Sequence, residues 1–335
     1  MPWRRYRNMQ IPEQDVSAEP QIYSITADVL SFRRCPRQYL IYRERKFTPP
    51  NATQMYFGTV VHQTLDLAHS HYKGLIEGIA QNTMPTSQDL YRYFRSVENG
   101  LFARGVRPFS YGPRGGAGQD ALNGNENFDT LINAIGRERA NAFARIRFFN
   151  QVEGPSLYPR VIDTEARIDA DQGSFIITGN VDVIASTEGG GRELWDYKSS
   201  QPQDLEETTP AGGDARMQMR IYAHIYHQRT GVTPSRGVIY CMGAIDARSL
   251  DQNENNERPQ NAIIEVQNLD NIAEYQTAID DFSQTVRQIE QARENNRWPA
   301  PQADPGSPTC DACPKRWDCT YIEGFGRSRY PRRFT

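Results

Sequence analysis

The sequence predicts an α/β protein whose mixed central sheet is flanked by helices. Two features of the chain predict this class. Apolar residues recur at helical spacing before Pro155, whereas they alternate with a period of two in most segments after it. The strand segments of the second half are interrupted by one helix and followed by another, an order typical of a sheet with helices packed on it. With 335 residues, the chain can form one elaborated domain or two.

The N-terminal region is predicted to contain an arm and a helix. Residues 1–20 are polar and contain prolines, which indicates a flexible arm. The segment "YSITADVLSFRRCPRQYLIYRER" predicts a short strand or turn followed by a helix. Ser24 or Thr26 is suitable as the N-cap of this helix, because a hydroxyl oxygen can accept a hydrogen bond from a free amide of the first turn.

The next part of the chain is predicted to be helical as well. Apolar residues at helical spacing predict a helix from Met55 to His71. An α-helical insertion is expected at about residues 74–150, with a glycine-rich loop near residue 115 and a long helix from Phe128 to Gln151. His69 and His71 match no motif and are expected on a solvated face of their helix.

The second half, about residues 155–300, is predicted to hold the sheet. Three strand segments come first, and the turn "TEGGG" joins the last two of them. A helix then ends on Gly231, two more strands follow, and a long amphipathic helix closes this part. The tail, residues 301–335, carries three cysteines. The strand segments are "RVIDTEARIDA", "SFIITGNVDVIAS", "RELWDYKSS", "SRGVIYCMGAI" and "NAIIEVQN".

Charge and hydropathy exclude two classes of protein. The formal net charge is −3, which argues against a chromatin-type binder held by bulk positive charge. Arginines cluster locally, as in residues 33–37, and such a cluster fits either a solvated face or a nucleic-acid groove. No apolar run approaches the roughly 20 residues of a membrane-spanning helix, so no membrane association is expected. The basic first residues lead into no apolar segment typical of a signal peptide, which favours the cytoplasm.

Three charged residues lie together in the predicted sheet. Asp182 lies in one strand, and Asp196 and Lys198 share a face of the next strand, so a hairpin brings the three together. Two carboxylates and a strand carbonyl suit Mg²⁺ or Mn²⁺, which can orient a water and stabilise charge on a phosphate. Asp-x-Lys alone is common in strands with ordinary surface charges. The apolar neighbours, among them Val181 and Trp195, favour instead the end of a buried strand that opens onto a site.

Four motifs around these residues resemble those of a known family. "GNVDVI" and "ELWDYKSS" are similar to the second and third motifs of the PD-(D/E)XK nucleases in their RecB-like branch. "FGTVVHQTLD" resembles the Gly-Thr-x-x-His motif of that branch and identifies His62. "QMRIYAHIY" resembles its Gln-x-x-x-Tyr motif and identifies Gln218 and Tyr222, one helical turn apart. The motifs occur in the family order.

The resemblance implies a fold, a reaction and a role for each residue. It implies a restriction-endonuclease-like core within a nuclease domain of residues 21–335, and hydrolysis of DNA phosphodiesters at single strands or ends, more as an exonuclease than as an endonuclease. Lys198 would be the catalytic lysine, and Gln218 and Tyr222 would hold the DNA or the site. Glu165 lies where a further acid sometimes occurs in the family. The metal ligands implied are His62, Asp182, Asp196 and the carbonyl of Tyr197.

Four of the five cysteines form a second candidate site. Cys310, Cys313 and Cys319 have the spacing Cys-x2-Cys-x5-Cys, which leaves a tetrahedral site one thiolate short, and Cys35 can supply the fourth. Spacing alone favours zinc. Cys241 lies in an apolar strand, where a free cysteine behaves as a small hydrophobe.

The family resemblance changes the metal expected at these cysteines. One remote N-terminal cysteine and a C-terminal Cys-x2-Cys-x5-Cys around a RecB-like core resemble the iron–sulfur nucleases, which include AddB-type subunits and CRISPR-adaptation-associated nucleases. The resemblance implies a structural [4Fe–4S] cluster that joins the N- and C-terminal regions. Structural Zn²⁺ remains the alternative.

Three hypotheses about the function follow from these observations. The first is a DNA nuclease that acts in DNA repair, recombination or antiviral defence. The second is a DNA-binding or scaffold subunit of a helicase–nuclease complex with little or no cleavage. The third is a zinc-stapled regulatory protein, which would leave the His62 and Gln218 motifs unexplained. The chain has no Gly-x4-Gly-Lys-[Ser/Thr] loop. The family resemblance implies a separate helicase or other nucleic-acid-processing subunit as a partner if the nuclease works on duplex ends.

Overall fold

The computed structural model describes residues 20–46, 53–108, 122–187, 189–248, 257–301, 309–310 and 313. The predicted arm, apart from its last residue, the glycine-rich loop near residue 115 and Cys319 lie outside these ranges. The strands are β1 (Gln21–Ser24), β2 (Val161–Asp171), β3 (Phe175–Ser186), β4 (Arg192–Lys198), β5 (Arg236–Cys241) and β6 (Ile263–Val266). The α-helices are α1 (Ser31–Arg34), α2 (Pro36–Tyr39), α3 (Thr53–Tyr72), α4 (Ser87–Ala103), α5 (Phe128–Ile135), α6 (Arg137–Val152), α7 (Gly154–Leu157), α8 (Pro210–Thr230) and α9 (Ile272–Glu294).

The six strands form one mixed sheet, in the order β1-β3-β4-β5-β6 with β2 also paired to β3. The long strand β3 pairs antiparallel with β2 along most of its length. Its first residues pair with β1 in parallel, and its last residues pair with β4 antiparallel. Strands β4 and β5 are parallel, and β5 and β6 are antiparallel. The predicted mixed α/β architecture is therefore confirmed.

Both faces of the sheet are covered, because each central strand buries side chains on both sides. Leu194 and Ile239 lie in the core that includes residues of α8 and α9. Trp195 and Val238, one position along, lie in the core that includes residues of α3, α4 and α6. This near-continuous hydrophobic pattern is typical of a sheet between two helical layers. Among the described residues, no helix is long and apolar enough to span a bilayer.

In the helical layer formed by α3 to α6, one of the predicted helices is broken. The expected long helix from residue 128 is two helices, since Gly136 takes φ 85° and breaks it. A left-handed residue cannot continue a right-handed helix, and glycine adopts that conformation without a steric cost. The layer is held by buried Glu98, which accepts two hydrogen bonds of 2.6 Å from Arg139 and one from the hydroxyl of Tyr56.

The N-terminal segment is broken at Cys35. Ser24 is the cap, and its hydroxyl oxygen accepts a 3.2 Å hydrogen bond from the Ala27 amide. Cys35 is extended, with φ −160° and ψ 102°, because the following Pro36 disfavours the helical conformation before it. The predicted single helix is thus interrupted where the cysteine lies. Trp298, after α9, packs against Phe32 and brings the C-terminal part of the chain to this segment.

Candidate metal centre and its surroundings

The site begins where β3 and β4 separate. The backbone pairing of the two strands begins only at Val183 and Trp195, so the amide of Tyr197 donates its hydrogen bond to a side chain of β3. Oδ2 of Asp182 accepts that hydrogen bond at 2.6 Å. Asp182 and Asp196 are only 7% and 3% exposed, which places two carboxylates inside the protein at the end of the hairpin. The hairpin predicted from the sequence therefore brings both acids into one buried region.

His62 on α3 connects the helical layer to this hairpin. Its Nε2 donates a 2.9 Å hydrogen bond to the carbonyl of Tyr197, and its Nδ1 lies 3.2 Å from Asp182 Oδ1. Burial by itself lowers the pKa of His62, but the negative charges of the nearby carboxylates outweigh it and raise the pKa to about 9. This rise in the pKa of His62 indicates strong negative potential around the imidazole.

Glu165 on β2 completes the acidic cluster. It lies opposite Asp182 between the paired positions 164 and 166, and its φ of 46° is left-handed. Such a conformation is costly for a residue with a Cβ and persists only where its surroundings impose it, often at functional sites. Oε1 of Glu165 lies 3.9 Å from His62 Nδ1. Burial, together with the charge of Asp182, raises the pKa of Glu165 to about 7.

These residues fit a divalent cation. One potential ligand atom from each of His62, Glu165 and Asp182 lies within 4.8 Å of the others. Two carboxylates and an imidazole form a donor set that suits Mn²⁺, and Mg²⁺ prefers the oxygen ligands among them. A cation would also offset the cost of keeping buried carboxylates close together. This group contains His62 and Asp182, two of the three side chains predicted as ligands, together with Glu165.

Asp196 belongs to a second set of contacts. Its Oδ2 lies 2.7 Å from Lys198 Nζ, and its Oδ1 accepts a 3.2 Å hydrogen bond from Gln218 Nε2. Lys198 also donates to Gln218 Oε1 at 2.9 Å. Burial raises the pKa of Asp196, and the ammonium group of Lys198 opposes that rise. The carboxylate, the lysine and the amide therefore fix one another's positions beside the acidic cluster.

Tyr222 fixes the position of Gln218 in this second set of contacts. Gln218 Nε2 donates a 2.7 Å hydrogen bond to its hydroxyl oxygen, as expected for two side chains one turn apart on α8. The ring fits because Gly179 has no side chain, since a Cβ there would lie 2.5 Å from Tyr222 Cε1. Glycine three residues before Asp182 is part of the motif, but its contact with Tyr222 follows only from the packing of α8 on β3.

The structure thus places the residues predicted from sequence in two groups. His62, Asp182 and the Tyr197 carbonyl lie together as expected for metal ligands, and Glu165 joins them. Asp196, also expected as a ligand, contacts Lys198 and Gln218 and lies near enough to Asp182 and His62 for their charges to affect its pKa. Their roles in binding and catalysis remain predictions.

His69 and His71 do not lie on a solvated face, because they are only 1% and 2% exposed. His69 Nε2 lies 3.2 Å from the Tyr197 hydroxyl and packs on the ring of Tyr158. Burial lowers the pKa of His69 to about 3. The prediction was wrong because the insertion covers this end of α3 with further helices. The sequence contained one signal, namely that both residues fall in the apolar stretch of a helix.

The cysteines are described only in part. Cys35, Cys310 and Cys313 are among the described residues, and the Cys313 amide donates a 3.0 Å hydrogen bond to the Cys310 carbonyl. Gln38 on α2 donates a 2.9 Å hydrogen bond to the carbonyl of Thr309. The segment with the first tail cysteines therefore contacts the helix that follows Cys35. Cys241 is buried in the core, as predicted, and burial raises its pKa to about 11.

Comparison with known proteins agrees with this geometry. The profile of the PD-(D/E)XK nuclease superfamily matches residues 27–320, which is most of the chain and includes both groups of site residues. A comparison with curated proteins gave no match. The mixed sheet between helices and the carboxylates at the end of β3 and β4 are consistent with that match. The chain therefore belongs to the PD-(D/E)XK nuclease superfamily, whose members are metal-dependent nucleases.

Proposed function

We propose that this protein is a Mg²⁺- or Mn²⁺-dependent deoxyribonuclease that hydrolyses phosphodiester bonds in single-stranded DNA or at DNA ends. The observation that carries the proposal is the acidic cluster of His62, Glu165 and Asp182, whose ligand atoms lie within 4.8 Å of one another. Lys198 lies beside this cluster and is held by a carboxylate and an amide. A cation site next to a fixed ammonium group suits an anionic substrate whose reaction develops further negative charge.

The residues of the chain would divide the chemistry between them. His62, Asp182, Glu165 and the Tyr197 carbonyl would hold the cation, which when bound lowers the pKa of a water and stabilises charge on the phosphate. Lys198 would position that water or offset the negative charge that develops on the phosphate oxygens. Asp196 and Gln218 would orient Lys198, because they contact its ammonium group directly. Tyr222 would keep Gln218 in place.

A cleavage assay tests this assignment. Labelled single-stranded DNA is incubated with Mg²⁺ or Mn²⁺ and with the wild-type protein, Asp196→Ala, Lys198→Ala or the control Asp169→Ala. Asp169 is an exposed acid on β2, paired with Arg167, so its variant should cleave like the wild type. We expect both site variants to lose at least about a hundredfold in rate. Equal activity in all four proteins would refute the assignment, and no activity in any would favour the scaffold function.

The mode of cleavage and the pathway are part of the same proposal. We favour an exonuclease of the RecB-like branch, working with a separate helicase or other processing subunit in DNA repair, recombination or antiviral defence. Support comes from the motif order around His62 and from the lack of a helicase motif in the sequence. Linear and circular single strands of the same sequence distinguish the modes, because an exonuclease leaves the circle intact.

We further propose that Cys35, Cys310, Cys313 and Cys319 bind a structural [4Fe–4S] cluster of the AddB-type arrangement. The hydrogen bond from Gln38 to Thr309 and the packing of Trp298 on Phe32 support it, since both bring the C-terminal region to the segment around Cys35. Anaerobic purification, a visible spectrum and iron, sulfide and zinc analysis test this assignment. Stoichiometric zinc without iron would replace it with a structural zinc site.

A further inference from the structure

A long groove leaves the site on the side of Lys198. Lys198 and Gln218 line one part of it, and from there it runs between the N-terminal helices α1 and α2 and the last helix α9. Its volume is about 1850 Å³. Pockets for small ligands are roughly 300–1,000 Å³, so this groove is large enough for several units of a polymer.

One wall of the groove is positively charged. Helices α1 and α2 supply Arg33, Arg34 and Arg37 to this wall. Arg297, which follows α9, also lines the groove. With Lys198, five described cations line the groove against two carboxylates, those of Asp214 and Asp281. The whole chain has a net charge of −3, so this excess of positive charge is local. A local positive groove next to a metal centre is suited to an anionic polymer.

The opposite wall presents amide side chains. Gln284, Gln288 and Gln291 line the groove from α9, and Asn295 lines it from the position directly after this helix. All four are exposed, and their spacing of four, three and four residues puts them on one side of the helix. An amide both donates and accepts hydrogen bonds, which suits the edges of nucleobases as well as phosphates. The apolar floor includes half-buried Trp298, whose ring offers a surface on which a base can stack.

We propose that this groove binds an unpaired DNA strand and leads it to Lys198, with phosphates on the arginine wall and bases on the amide wall. Base edges and faces are accessible in a single strand, whereas a duplex presents its phosphates outward and keeps its bases paired. This inference rests on the proposed nuclease function and specifies the form and the path of its substrate.

Equilibrium binding tests the groove without requiring cleavage. The anisotropy of a fluorescent oligothymidylate is measured in EDTA, over a range of salt, with the wild-type protein and three variants. Arg33→Gln/Arg34→Gln removes two cations from one wall, and Gln288→Ala/Gln291→Ala removes two amides from the other. Arg287→Gln is the matched control, because Arg287 is exposed on the same helix α9 but does not line the groove.

Variants of the two walls should differ in how their DNA affinity depends on salt concentration. The double arginine variant should bind roughly tenfold more weakly, and its slope of log Kd against log salt should fall by about 1.4, or about 0.7 for each lost phosphate contact. The double glutamine variant should also bind more weakly but with an unchanged salt slope, because its amides carry no charge. The Arg287→Gln variant should bind like the wild type.

Because Arg33 also contacts the sulfur of Met217, its loss could disturb the fold, so thermal unfolding is compared for all variants. The pair Arg34→Gln/Arg297→Gln leaves that contact intact and should weaken binding in the same way. Unchanged affinity in this second pair would refute the groove. Tighter arginine-dependent binding of a duplex, or of single-stranded RNA, would refute the proposed substrate. If groove variants lose binding while Asp196→Ala still cleaves, the groove stands and the nuclease assignment falls.

Discussion

Replacing Gly179 with alanine tests how the fold positions Lys198, the proposed catalytic lysine. The added Cβ would lie 2.5 Å from Cε1 and 3.1 Å from Cδ1 of Tyr222, and 3.2 Å from Cδ1 of Ile25. Carbon atoms that are not bonded pack at about 3.5–4.0 Å, so the Tyr222 ring must move by about 1 Å or more. Tyr222 is only 3% exposed, so it has little free space to move into. Overpacking of this kind costs about 1–3 kcal/mol of unfolding free energy.

The displacement should also reach the chemistry. Moving the ring lengthens the 2.7 Å hydrogen bond between Tyr222 and Gln218, and Gln218 in turn contacts both Lys198 and Asp196. A misplacement of about 1 Å can reduce a rate by roughly a hundredfold. The proposed ligands His62 and Glu165 make their close contacts elsewhere, with the Tyr197 carbonyl, with Asp182 and with each other. We therefore expect a lower kcat for DNA cleavage, with Mn²⁺ affinity close to that of the wild type.

Three measurements check this prediction. Urea denaturation gives the change in unfolding free energy, single-turnover cleavage gives the rate, and the Mn²⁺-dependent rise in Tm gives metal binding. Gly100→Ala is the control, since Gly100 is exposed on α4 and its Cβ would meet no atom within 4 Å. It should be stabilised by about 0.5–1 kcal/mol. A Gly179→Ala variant as stable and as active as the wild type would refute the reasoning.

Three further predictions concern the core, the metal and the pH dependence of stability. Glu98→Gln leaves the buried guanidinium of Arg139 without its counter-charge and should cost about 3–5 kcal/mol of unfolding free energy, measured by urea denaturation. Asp182→Asn keeps an oxygen for the Tyr197 amide but removes a charged ligand, so Mn²⁺ should no longer raise the Tm; a wild-type rise would contradict the site. Since burial lowers the pKa of His69 from 6.5 to about 3, the stability of the neutral form is present above pH 6.5 and lost as the pH falls towards 3. Near pH 5 the loss should approach about 1.4 kcal/mol per pH unit, and His69→Phe should reduce that dependence in denaturation curves at pH 5 and 7.

Local pattern in the sequence was enough for the sheet and most helices. The alternation at the start of β3 reflects the burial of strand side chains, and Gly231 ends α8 as predicted, with a left-handed φ of 72°. Both features depend on neighbouring residues alone, which is why a single sequence reveals them. The break at Gly136 was missed because an apolar pattern can continue across two helices. The contact between Asp182 and Tyr197 could have been predicted from the sequence, since a short hairpin joins their strands.

Contacts between distant segments were decided by the tertiary structure alone. Whether Glu165 reaches His62 depends on a left-handed residue within β2 and on the packing of α3 against the sheet, and neither leaves a periodic signal. Gln218 contacts both Asp196 and Lys198 because α8 packs over β4. The sequence therefore determined which residues are candidates for the chemistry, through their types and order. The fold determined which of them meet, because the packing of helices on the sheet brings together side chains that lie far apart along the chain.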